Sequence, residues 1–261
     1  MNPSALPSAL PDNAIPAATL VIMRPSGGGG PDEILMVKRA ATMAFAAGAM
    51  VFPGGRIDPD DHVVAERHGF APGDAEGAAR VAALRETIEE TGLAVGWPTL
   101  ADHEIAATRR ALLDGTLLSD LLAERGERLA LETLVPFARW CPNFKEARTF
   151  DTRFYAVAAP PHGHELTVEE AEHSQIFWAS AADTLAMADR GDVSIIFPTR
   201  RNLERLAQAD GFADFSAHAG RFPVELVTPW IEERDGGSHL CIPDHLGYPV
   251  TSEPLDHIRR G

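Results

Sequence analysis

The stretch ALRETIEETG, residues 83 to 92, restricts what this chain can fold into more than any other. Glu86, Glu89 and Glu90 fall within five positions, with no lysine among them. Upstream, AEGAARVA carries the same Ala, Glu and Arg bias back to Ala75, and Gly92 suits the left-handed residue that closes a helix. At about 100° per residue, Val81, Leu84 and Ile88 form one apolar stripe. The three glutamates lie within about 100° of one another on the other side. Arg85 sits between the faces, one turn before Glu89, where an i,i+4 pair can hold that carboxylate. A solvated face normally mixes in lysine to relieve like-charge repulsion, and this one does not. Two readings stay open: an amphipathic helix with an acidic exterior, or a seat for a cation.

The segments around this helix read as strands. ATLVIMR (18–24) and EILMVKR (33–39) are apolar and β-branched, and GGGGP between them predicts a hairpin. That glycine run is a surface loop, since neither Gly-Lys-Ser/Thr nor GxGxxG follows. GAMVFPGGR brings a short strand into Pro53-Gly54-Gly55. Glycines let a backbone carbonyl approach an ion or a phosphate closely. Carboxylate and carbonyl oxygens are hard donors suited to Mg²⁺ or Mn²⁺.

Residues 62–74 read as an irregular loop with some helix, and 101–128 as a helical stretch broken at Asp114-Gly115. Strand patterns return at 148–159 and 174–180. In the first of these, Asp151, Arg153 and Tyr155 share one face and Phe150 and Phe154 the other. Ser180 with Asp183 resembles a capping box for a helix running to about Arg190, and another helix begins near Thr199. The organisation expected is a flexible tail over 1–15 and one domain over 16–220, with insertions near 58–74 and 100–128. A C-terminal extension, 221–261, packs on the same domain.

The formal net charge of −15 argues against a nucleic-acid groove or an anionic membrane surface, both of which need clustered Lys and Arg. An acidic protein handling an anionic small molecule needs a local correction, such as a bound divalent cation. Cys141 and Cys241 have no CxxC spacing, which fits a reducing compartment. The proline-interrupted start lacks the basic and apolar regions of a secretion signal, and the longest uncharged run, 40–55, is too short to cross a bilayer. A cytoplasmic protein is expected, with no membrane partner.

PGGRID followed by RETIEETGL resembles the Nudix box, G-x5-E-x7-R-E-U-x-E-E-x-G-U with U aliphatic. Arg85, Glu86, Glu89, Glu90, Gly92 and Leu93 match, while Thr87 takes a usually aliphatic place. Five fixed residue types would recur by chance in such a chain on the order of once in 10⁴. The first half departs from the pattern. Gly55 and Arg85 are thirty positions apart instead of fourteen, and the position of the leading glutamate holds Gly77. An insertion of this kind is similar to that of the branch containing the peroxisomal coenzyme A diphosphatases, as are RTFDTRFYAVAAP and FPTRRNL.

The resemblance implies an α/β fold, the Nudix α/β/α sandwich on a mixed sheet. It also implies hydrolysis of a nucleoside diphosphate linked to another moiety. Glu86, Glu89 and Glu90 would be carboxylate ligands converging on one Mg²⁺ or Mn²⁺ ion, Gly54 or Gly55 would offer a carbonyl, and Arg85 would orient a glutamate. Glu172 is the candidate for an extra ligand or general base. Arg39, Arg148 and Arg153 are candidates to grip phosphates, although exposed ion pairs explain each equally well. Coenzyme A or an acyl derivative is the first substrate expected, then ADP-ribose or a dinucleotide, and a homodimer is compatible with the family. The rival reading is a catalytically silent nucleotide-binding regulator, which predicts eroded box glutamates; all three are intact.

Overall fold

The computed structural model describes residues 10–40, 47–142, 149–160, 173–234 and 236–258. The Arg148 and Glu172 assignments and most of the tail assignment therefore lie outside the described residues.

The hairpin forms as its sequence predicts. β1 (Ile15–Arg24) turns through the glycine run into β2 (Glu33–Arg39), with Met23 opposite Ile34. β3 (Ala49–Val51) and β4 (Gly54–Arg56) follow, and β4 pairs with β1 so that Gly55 faces Ala18 and Gly54 faces Thr19. The next segment holds the helix within an irregular stretch that its sequence suggests. It opens with helix α1 (Pro59–Arg67), started by an Asp58 N-cap, Pro59 at N1 and Asp61 returning to the Asp58 amide. The DPDD run is a helix-start signal that the polar composition of 62–74 obscures.

α2 (Ala75–Thr91) is the acid-rich helix. Asp74 caps it by accepting from the Glu76 and Gly77 amides, and Gly92 closes it at φ 72°. Thr87 fits a buried position because its hydroxyl donates back to the Ala83 carbonyl at 2.7 Å. α3 (Asp102–Leu113) and α4 (Leu118–Arg125) are separated at Asp114-Gly115, as expected. β5 (Val135–Trp140), β6 (Phe150–Ala158) and β7 (His173–Ser180) rebuild the sheet. Ser180 caps α5 (Ala181–Arg190) by accepting from the Asp183 amide. β8 (Ser194–Ile195), α6 (Phe197–Leu206), α7 (Phe212–Ala219) and β9 (Leu226–Val227) complete the main body.

The main sheet is mixed, with its path running β8-β3-β2-β1-β6-β5-β9. β1 and β6 pair in parallel at its centre from Ile15 with Phe150 to Met23 with Ala158. Both faces of these strands are covered, and the side chains alternate accordingly. Leu20, Ile22, Leu35, Tyr155 and Val157 pack with α2, α3 and α4. Val21, Met23, Ile34, Met36 and Phe154 pack with α5, α6 and α7. The result is the three-layer α/β/α arrangement.

The C-terminal segment contributes β10 (Trp230–Arg234), β11 (Gly237–Cys241) and β12 (Ser252–Pro254), a small separate antiparallel sheet. It is tied to the main body where the Trp140 indole donates to the Tyr248 hydroxyl, which donates in turn to Asn202. Cys141 and Cys241 are buried free thiols. Among the described residues, no helix is long and apolar enough to cross a membrane.

Candidate active site

α2 is buried almost all round, because the sheet covers one side while α1 and α3 pack against others. Val81, Leu84 and Ile88 enter the core, each worth about 1.5–3 kcal/mol on burial. The acidic side is no solvated exterior either: Glu90 is 4% exposed, and the Glu86 and Glu89 side chains are exposed 16% and 20%.

Arg85 stands at the centre of this turn. Its Nη1 donates to Glu86 Oε1 at 3.0 Å and to Glu89 Oε2 at 3.4 Å. The i,i+4 pair predicted by the spacing is therefore present. On its other edge, Nε and Nη2 donate to the two oxygens of Asp61, each at 3.0 Å, and Nη2 also donates to the Arg56 carbonyl at 2.9 Å. Burial alone would depress the guanidinium pKa, but the Asp61 hydrogen bond and the Glu86, Asp61 and Glu89 charges together hold it above its ordinary value. Burial pushes the Asp61 carboxyl up, and Arg85 pulls it back.

Burial also raises Glu86 to about 7 and Glu89 above the usual carboxylate range, with Arg85 opposing the rise in both. Glu86 lies directly over the Gly55 backbone, where an added Cβ would overlap its carboxyl group. Gly54, at φ 153°, leaves no room for a Cβ against the Ala18 carbonyl, and its amide donates to Glu90 Oε2 at 2.9 Å. Gly54-Gly55 is thus the place where backbone and acidic helix meet most closely.

The donor chemistry of this junction suits a hard divalent cation: carboxylate oxygens, a bare glycine backbone and a raised Glu86 pKa that a positive charge would reverse. Among the described residues no three acidic, histidine or cysteine side chains converge on one point. Glu86 and Glu89 turn to Arg85, and Glu90 turns to the Gly54 amide. Each of these bonds engages one oxygen of its carboxylate, so a cation would share the glutamates with protein donors.

The arginine candidates are placed differently. Arg153 lies on β6 in the same cross-sheet row as Ala18 and Gly55, about 10 Å from the latter by two strand spacings. It is engaged with Glu76 and Asp151 at 3.6 and 3.7 Å, next to a two-toothed Arg139–Asp151 pair. Arg39 is the half-buried last residue of β2.

Two participants escaped the reading of the sequence. Asp61 is fully buried on the inserted helix. Arg109 of α3 donates to the Glu89 and Glu90 carbonyls, giving the C-terminus of α2 the cation that its own last turn lacks. The DPDD cap was a signal for a helix at Asp61, while nothing local marked Arg109. A cavity of about 230 Å³ lies away from these acids, between α1 and α4. It is lined by Val64, Arg67, His68, Ser119 and Arg128, and its Arg67 and Arg128 side chains are bonded to Ser119 and Arg67 carbonyls.

The NUDIX domain model matches residues 14–197. The chain is 27% identical over 189 residues to putative nudix hydrolase 7 of Caenorhabditis elegans, covering 67% of this chain but only 56% of that protein. The chain therefore spans just over half the length of this curated relative. A crystal structure of a NUDIX hydrolase from Alicyclobacillus acidocaldarius is 31% identical, with a TM-score of 0.68, over 78% of this chain and 96% of that one. The box residues, the sandwich that presents them and a family match across most of the sequence agree: this chain belongs to the Nudix family.

Proposed function

We propose that the chain is a divalent-metal-dependent hydrolase of the pyrophosphate bond in a nucleoside diphosphate linked to another moiety. The observation that carries this reading is the turn in which Arg85 gathers Glu86 and Glu89 against Gly54-Gly55, with Glu90 on the Gly54 amide. Glu86, Glu89 and Glu90, with a carbonyl of Gly54 or Gly55, would hold Mg²⁺ or Mn²⁺. Such an ion supplies Lewis acidity at phosphate oxygens and a more acidic bound water. Arg85 keeps the glutamates ionisable and in place, and the missing Cβ at Gly55 lets the backbone approach them.

Glu172 is proposed as an extra ligand or base, and Arg39, Arg148 and Arg153 as phosphate contacts. For Arg153 this requires release from Glu76 and Asp151. Coenzyme A or acyl-coenzyme A is the first substrate proposed, on the strength of the inserted box. Two buried free thiols fit a reducing compartment such as the cytoplasm.

The test is product release and identification with Mg²⁺ or Mn²⁺ against coenzyme A, acyl-coenzyme A, ADP-ribose and dinucleotides. Turnover of at least one is expected, falling about 10²-fold or more in Glu89→Gln and in Glu90→Gln. Tight binding without turnover across the panel would replace this reading with the nucleotide-binding regulator.

A further inference from the structure

We infer that Asp61 is the positioning residue of the acidic turn: carried in by the inserted helix, it pins Arg85 so that a single guanidinium nitrogen faces Glu86 and Glu89. The inference rests on the metal-dependent function proposed above and names the residue that keeps those glutamates available to the cation.

A guanidinium has five N–H donors, and here all five meet acceptors. Asp61 and the Arg56 carbonyl take the three on Nε and Nη2. Only Nη1 remains for the glutamates, and it touches one oxygen of each. Remove the Asp61 charge, and the forked edge of Arg85 would turn to the nearest anions, Glu86 and Glu89, and compete with a cation for their oxygens.

Asp61 is built for this contact. It has 0% exposure, which a carboxylate tolerates only when paired and hydrogen-bonded. Its Oδ2 also accepts the Asp58 amide at 2.7 Å. The adjacent Asp60 accepts the Ser119 amide, and Arg67 donates to the Ser119 carbonyl, so α1 is clamped to α4 while Asp61 reaches α2. The first turn of α2 cannot offer a substitute at position 77, because Gly77 lies against the Phe70 ring with no room for a Cβ. The insertion that lengthens the box thus carries its own carboxylate to Arg85.

The experiment is calorimetric titration of the full chain with Mn²⁺ alone, alongside kcat and KM on the substrate found by the panel. Asp61→Asn should raise the Mn²⁺ Kd tenfold or more and lower kcat more than it raises KM. Asp58→Asn, an exposed acid 3.7 Å from the same guanidinium, should stay within twofold. With Arg85→Gln in place there is no guanidinium left to steer, so adding Asp61→Asn should change the Kd less than threefold. The double variant removes the fully buried Asp61 charge together with its partner, and its Kd against Arg85→Gln decides the matter if Asp61→Asn alone fails to fold. Unchanged Mn²⁺ affinity in Asp61→Asn, or a further loss beyond threefold in the double variant, overturns the inference while leaving the proposed function intact. Wild-type protein that neither binds Mn²⁺ nor turns over any substrate overturns both.

Discussion

Arg85 and Arg205 are both buried on helices, on opposite faces of the same sheet, and their surroundings differ in kind. Arg85 has carboxylates on both edges, from Asp61, Glu86 and Glu89, and every N–H is matched. Arg205, 1% exposed, is enclosed by aromatic rings: its guanidinium carbon lies 5.8, 5.5 and 5.3 Å from the ring centres of Phe137, Phe222 and Tyr248. Nη1 donates to the Phe137 carbonyl, while Nε and Nη2 meet no acceptor at bonding geometry among the described residues. Burial lowers the Arg205 pKa, whereas acids hold that of Arg85 up. A buried cation held by π faces serves packing. One held by a surplus of acids marks a place where negative charge has been concentrated and needs balancing.

This contrast can be broken by direct measurement. Arg85→Met leaves Asp61 buried without its partner and should cost about 3–5 kcal/mol in urea unfolding of the metal-free protein. A loss below about 1 kcal/mol would mean the acids do not depend on it. Glu86 supplies the next largest effect. Its folded pKa of about 7 stands above the ordinary 4.5, so its protonated form stabilises the fold below about pH 4.5, and that contribution disappears as pH rises through about 7. Relative to wild type, metal-free Glu86→Gln should therefore gain up to about 3 kcal/mol between pH 4.5 and 8. A difference independent of pH would show that Glu86 is well solvated. The smallest effect belongs to Arg205→Met, expected within about 1 kcal/mol of wild type because an apolar chain of similar volume replaces an incompletely bonded charge. Turnover in that variant should remain within about twofold. If Arg205→Met costs as much as Arg85→Met, the two environments are not energetically distinct.

Much of the fold was legible because its signals are local. The hairpin, the break at Asp114-Gly115, the Ser180 cap and the span of α2 all follow from caps, glycines and periodicity within a few residues. Composition suggested some helix in 62–74 without giving its bounds, although Asp58-Pro59 marked the start of α1. The environment of the acidic turn stayed open between a solvated exterior and a cation seat for a different reason. A helical wheel separates two faces, and it cannot say that a second layer of helices will cover the polar one.

Sequence alone determined which residues form the acidic turn, that Arg85 reaches Glu89 one turn away, and that Gly92 ends the helix. Those are contacts within one coil, set by a fixed rise and rotation per residue. Tertiary structure decided that Asp61, twenty-four residues away, holds the far edge of Arg85, that Arg109 covers the C-terminus of α2, and that Trp140 meets Tyr248 across 108 positions. Such pairings depend on how separate elements pack, and short-range preference carries no record of which distant carboxylate or carbonyl will be brought near.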